Sequence, residues 1–161
     1  MIVKPEPLTK EAFLPFGDVL ETDGITPQLI NSGNTKKFGG LAEITILDDG
    51  VGQLSIYRSS AIELPFMIQL MERHLSGSQA FFPLHERPFP VVVASPAAVP
   101  TASDIRVFLT NGRQGVNIHA GVWHHYQLTL GQDSEYIVVD RGGAGKNCEA
   151  HQMSQTLLLD I

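Results

Sequence analysis

The chain has 161 residues, a length that favours one domain with a full core over two small ones. With 43% hydrophobic and 17% charged residues, it is neither a disordered chain nor a coiled coil. The net charge is −6 and no basic run exceeds Lys36-Lys37, so the footprint of a nucleic-acid binder is missing; a single cysteine, Cys148, excludes an intrachain disulfide and a multi-cysteine zinc centre.

The first residues, Met1 to Pro7, carry acid and prolines where a secretory signal needs an apolar stretch. The longest apolar runs, such as Val91-Val92-Val93-Ala94, fall far short of a membrane span, and a cytoplasmic location is expected. Leu8 to Phe16 reads as a brief helix capped by Thr9 and ended by Pro15 and Gly17. From there the pattern turns to strands. Leu54 to Arg58 alternates apolar and polar residues with the period of a half-buried strand. Gln79 to Pro83 and Val91 to Ala94 are short runs punctuated by proline, and Ile105 to Thr110 reads as strand. Trp123 to Leu130 and Glu135 to Val139 complete the set, with Gly131 to Ser134 as a hairpin turn between them. Short strands with turn residues between them predict an all-β sandwich or barrel, formed as one domain over residues 1–161.

Polar residues capable of chemistry concentrate in four stretches: Glu72-Arg73-His74 with Gln79, Asn117 to His119, Trp123-His124-His125, and Asp140-Arg141. Histidine suits metal ligation through a neutral ring nitrogen or proton transfer near neutral pH. In one continuous strand His119 and His125 would share a face and His124 would take the other, unless Gly121 breaks it. The alternative is that these histidines are packing residues satisfied by backbone groups. Arg58 and Arg141 are either surface charges or forks for a carboxylate, and Asn31 either a turn residue or a substrate contact. Cys148 has no basic partner nearby in sequence and is not expected to act as a thiol nucleophile.

Two long blocks, Glu72-Arg73-His74 followed by Gln79-Ala80-Phe81-Phe82-Pro83 and Thr110 to His119 running on to Gly121-Val122-Trp123-His124-His125, resemble the signature segments of the ureidoglycolate lyase family. Asp140-Arg141-Gly142-Gly143 and Asn147-Cys148 are similar to its closing segment. The resemblance implies a cupin-like β-barrel, a homodimer, and cleavage of (S)-ureidoglycolate to glyoxylate and urea in allantoin breakdown. It also implies a divalent metal, nickel being the one associated with the family, and no organic cofactor. The His-x-His pair common in metal-binding cupins is absent, which leaves His74, His119 and Gln79 as the ligand set.

The chemistry such a substrate demands is an elimination: a base takes the hydroxyl proton, an acid protonates the departing nitrogen, and a clamp holds the carboxylate. His119 is the expected base and His74 or His124 the acid. Arg58 or Arg141 is the expected clamp, Asn117 and Gln79 orient the ureido group, and Trp123 and Asn31 are further substrate contacts. Three alternatives share the barrel: a hydrolase releasing ammonia, a non-catalytic cupin binding a small molecule, and a metal-dependent cupin oxygenase or isomerase, against which the absent His-x-His pair argues.

Overall fold

The computed structural model describes residues 1–96 and 99–161. The strands in chain order are β1 (Ile2–Val3), β2 (Glu6–Pro7), β3 (Gly17–Leu20), β4 (Gln28–Ile30), β5 (Thr35–Lys37), β6 (Val51–Ser59), β7 (Phe66–His74), β8 (Gln79–Pro83), β9 (Pro90–Ala94), β10 (Arg106–Leu109), β11 (Gly115–Ile118), β12 (Trp123–His124), β13 (Ser134–Gly142) and β14 (Cys148–Leu159). Among the described residues helix is confined to α1 (Lys10–Phe13) and one 3-10 turn over Ala102–Asp104. This is the mostly-β architecture that the turn-rich sequence predicts, and it agrees with the cupin-like barrel that the family resemblance implies.

One sheet runs β1-β14-β7-β12-β9-β10-β2, and a second runs β3-β11-β8-β13-β6. Both contribute to the main core: Val91, Val93 and Phe108 from the first sheet meet Phe81, Val116, Ile118, Tyr136 and Val138 from the second. The side chain of Thr9 accepts the Ala12 N–H at 3.2 Å and starts α1, which delivers Phe13 edge-on to Phe108 with ring centroids 5.3 Å apart. The intervening residues Val92 and Ala94 face the other way, into a second core with Trp123, Met71 and Leu157. Burial on both faces explains why Val91–Ala94 is an unbroken apolar run rather than an alternating one.

Several expectations are corrected in detail. Trp123 to Leu130 is strand only over Trp123–His124. Gly131 to Ser134 does not close a hairpin, because β12 pairs with β7 and β9 in the first sheet and β13 pairs with β6 and β8 in the second. The chain between them crosses from one sheet to the other, and local turn chemistry cannot distinguish a crossing from a hairpin. Gly121, at φ +82°, does break the run between His119 and His124. The long strands β7 and β14, absent from the sequence reading, pair antiparallel with a register shift between Gln152 and Leu157.

Candidate active site

Residues directly opposite in paired strands project to the same face. His124 lies opposite Glu72, and Cys148 opposite His74, so these four side chains share a face of the first sheet. In the second sheet Gln79 lies opposite Ile118, a residue of the main core, and therefore faces the interior. Asp140 comes to it from β13, Gln79 Nε2 donating to Asp140 Oδ2 at 3.2 Å. Tyr57, opposite the fully buried Tyr136, lies close enough to Asp140 for that carboxylate to act on its hydroxyl. The result is one polar group at one end of the barrel interior, built by five strands from both sheets: Tyr57, Glu72, His74, Gln79, His124 and Asp140.

The proton positions of this group follow from its partners. His124 Nδ1 lies 3.0 Å from the carbonyl oxygen of Val122, an acceptor, so Nδ1 carries the hydrogen. Complete burial, with the nearby His74 and His125 acting in the same direction, brings the His124 pKa down to about 4. At neutral pH the ring is uncharged and its Nε2 presents a lone pair. That lone pair faces Gln79 Oε1 at 3.2 Å and Glu72 Oε1 at 3.7 Å. Because Asp140 accepts from the Gln79 nitrogen, the amide cannot turn its donor end toward His124. Three acceptors therefore converge without a donor between them.

Either a cation or a proton on Glu72 satisfies this arrangement. Burial pushes the Glu72 carboxyl above its usual range, with the charge of His74 opposing that shift. Ligand atoms from Glu72, His74 and His124 lie within 4.8 Å of one another, a grouping able to hold a metal ion. Both ring nitrogens of His74 are buried without a hydrogen-bond partner among the described residues, as befits a side chain with a bond still to make. Desolvation, reinforced by the charges of Asp140 and Glu72, raises the Tyr57 hydroxyl, which stays protonated. Cys148 Sγ lies 4.0 Å from Glu72 Oε2, and burial and that carboxylate raise its thiol, so it is not a thiolate nucleophile.

The structure brings together His74, His124 and Gln79 of the residues singled out in the sequence. His119 lies outside the group: its Nε2 is 3.0 Å from Asp18 Oδ2 and its side chain is 45% exposed. Asn117, opposite Ala80 rather than Gln79, faces away from the interior and donates to the same Asp18 oxygen at 2.9 Å and to the Glu43 carbonyl. Arg58 points outward, 86% exposed, with Nε on Glu135 Oε1 at 2.6 Å. Arg141 spends its guanidinium on the carbonyls of Leu47, Asp48 and Ala144, bracing that loop. Trp123 faces the second core beneath the Arg73 guanidinium, 4.4 Å from the ring centroid. Asn31, at φ 53°, forms the exposed β4–β5 turn with its amide on Thr35. The sequence reading placed Glu72 and Asp140 in its chemistry-bearing stretches without giving either a role, and it passed over Tyr57. The i,i+2 spacing of Glu72 and His74 was the one local signal available, while Tyr57 and Asp140 join the group only through sheet pairing.

A cupin-like barrel with histidines, a carboxylate and an amide oxygen converging at one end of its interior defines the class: a cupin-type enzyme fold with a metal-capable centre. A sequence model of the family described as ureidoglycolate lyase matches residues 1–160, and the chain belongs to that family. Relatives named ureidoglycolate lyase include a protein of Pseudomonas savastanoi pv. phaseolicola, 50% identical over 155 residues, spanning 96% of this chain and 91% of the relative. One from Pseudomonas paraeruginosa is 49% identical over 161 residues, with 98% and 95% of the two chains covered. Another, from Pseudomonas entomophila, is 48% identical over 155 residues, covering 96% and 93%.

Proposed function

We propose that this protein is a ureidoglycolate lyase, eliminating urea from (S)-ureidoglycolate to leave glyoxylate in allantoin breakdown, and that residues 1–161 work as one domain in the cytoplasm. The observation that carries the reading is the converging set of His124 Nε2, Gln79 Oε1 and Glu72 Oε1 inside a chain of this family. No helix of the described residues is long and apolar enough to cross a membrane.

The substrate carries a carboxylate, a hydroxyl and a ureido nitrogen about one carbon. The interior group holds two carboxylates of its own, Glu72 and Asp140, and the guanidinium groups of Arg58 and Arg141 are engaged elsewhere. An anion needs positive charge at such a place, and the donor set suits a divalent cation, for which nickel is the candidate. His74, His124 and Glu72 would hold it, with Gln79 Oε1 close by. When bound, such an ion supplies Lewis acidity and charge for the substrate oxygens.

The chain's own residues move the protons. Asp140 accepts the hydroxyl proton as the glyoxylate carbonyl forms. Tyr57, near Asp140 and held in its protonated form, gives its proton to the ureido nitrogen as the C–N bond breaks. Transfer of the proton from Asp140 back to Tyr57 then restores both groups. One proton leaves the hydroxyl and one arrives on urea, so the cycle closes without an added acid or base. Gln79, fixed by Asp140, orients the substrate beside His124.

The expected homodimer draws support from apolar side chains left exposed on the outer face of the second sheet, Leu54 at 75%, Ile56 at 55% and Phe82 at 41%. The deciding experiment is to quantify glyoxylate, urea and ammonia from ureidoglycolate, with and without a chelator. Equimolar glyoxylate and urea establish the lyase. Ammonia in place of urea would make it a hydrolase, and turnover no faster than spontaneous decay would leave a binding protein.

A further inference from the structure

A second polar feature lies at the opposite end of the second sheet. Gln79 opens β8 beside the histidine cluster; beyond Pro83, at the far end of the same strand, a groove of about 520 Å³ is lined by Arg58, Ser59, Ser60, His85, Arg87 and Ser134, among others. That volume is in the range of small-molecule sites, roughly 300–1,000 Å³.

Two of the lining groups are donors without acceptors. His85 Nδ1 accepts the Arg87 backbone N–H at 3.1 Å, so the neutral ring must carry its hydrogen on Nε2. Burial and the neighbouring Arg87 charge hold this imidazole below its usual value, in the neutral form. That Nε2–H is buried without a partner among the described residues, and so is the Nε–H of Arg87. Arg87 has no ion pair among the described residues; its guanidinium reaches only the Ser134 hydroxyl. Two acids also line the groove and are engaged with other partners, Glu135 with Arg58 at 2.6 Å and Asp133 with the Ala61 N–H at 2.9 Å. A buried donor without an acceptor costs about 1–3 kcal/mol. Two of them beside an uncompensated guanidinium, in a chain of net charge −6, mark a place arranged for something negative with at least two acceptor oxygens.

We propose that this groove is a second ligand site, separate from the histidine cluster, that binds a small oxyanion through Arg87 and the Nε2–H of His85. Ser59, Ser60 and the outer guanidinium of Arg58 supply further donors at its mouth. A carboxylate and a phosphate both meet the requirement, and their sources differ: a metabolite acid in one case, inorganic phosphate in the other.

The test is titration of the protein with inorganic phosphate and, separately, with succinate, followed by calorimetry and by the imidazole NMR signals of His85. Saturable binding of either probe that shifts those signals supports the site, and the probe that binds identifies the chemistry. Arg87→Gln should weaken binding at least about tenfold, the loss of one charge-assisted contact. His85→Phe keeps the ring against Tyr136, removes the Nε2–H and should also weaken it, which guards against a folding defect in the arginine variant. His74→Ala, at the other end of the barrel, should bind both probes normally. No saturable binding, unchanged affinity in Arg87→Gln and His85→Phe, or loss of binding in His74→Ala would overturn the proposal. None of these outcomes depends on ureidoglycolate cleavage, so the failure of one reading does not carry the other with it.

Discussion

His124 turns its Nε2 lone pair toward Gln79 Oε1 at 3.2 Å, acceptor against acceptor, and it does so because its other nitrogen is tied to the Val122 carbonyl at 3.0 Å. Neither side chain can relieve this by rotating: the imidazole would lose its backbone bond and the amide would lose Asp140. The strand register thus fixes an electron-rich point inside the barrel, and most of the behaviour expected of the protein follows from it.

The first consequence concerns metal. Protein loaded with a divalent ion should hold about one ion per chain, and His74→Ala, His124→Ala or Glu72→Gln should each weaken that affinity by roughly 10-fold or more. Calorimetric titration with nickel reads it directly. Equal affinity in all three variants would remove the cluster as a metal centre.

Gln79 and Asp140 offer a finer test. Asp140→Asn substitutes an amide for the carboxylate that orients Gln79 and raises the Tyr57 hydroxyl. It should lower kcat by about 10²- to 10⁴-fold, the usual contribution of a proton-transfer group. Tyr57→Phe should lower kcat by a similar factor while leaving KM nearly unchanged, because the ring remains and only the transferable proton is lost. A change confined to KM would make Tyr57 a binding group instead.

Outward-facing residues should behave oppositely. Arg58→Gln removes an ion pair that is 86% exposed on the arginine side, and steady-state kinetics should show kcat/KM within about twofold of the parent. A large rise in KM would restore Arg58 as the carboxylate clamp.

The buried histidine sets a pH dependence for the metal-free protein. His124 titrates at about 4 when folded against 6.5 as its ordinary value. Between those values the unfolded chain binds the proton and the native chain does not, so stability falls as pH falls through that window. The full difference of about 2.5 units corresponds to on the order of 3 kcal/mol. Glu72 acts with the opposite sign above its ordinary value, since its carboxyl is raised in the folded state. Thermal unfolding in chelator from pH 7 to pH 5 should show a falling Tm, and His124→Gln should flatten that slope. An unchanged slope in the variant would mean that other groups set it.

The aromatic centre of the main core predicts the ordinary cost of a cavity. Phe108 is fully buried against Phe13 and Phe16, and Phe108→Ala should destabilise the protein by about 3–5 kcal/mol in denaturant unfolding.

Residue type and period were enough to reveal the all-β fold class, and the resemblance of two long sequence blocks pointed to the family. The proline-bounded run Gln79–Pro83 is a strand with those same ends, and the Thr9 cap starts its helix, because both depend on neighbours in the chain. His74, His124 and Gln79 stood out for the same reason: polar, ligand-capable side chains set in apolar surroundings. Partnership was not legible. Tyr57 and Asp140 are 83 positions apart, and Gln79 and His124 are 45 apart, so only the pairing of β6, β13, β8 and β11 and of β7 with β12 determines who meets whom. His119 and His124 lie five positions apart, yet a glycine turn sends one to Asp18 and the other into the interior. The sequence by itself determined the supply of chemical groups and the β-rich frame, through local propensity and hydrophobic pattern. The tertiary structure decided which side of each sheet those groups occupy, because a side chain's face is set by register with strands far away in the chain.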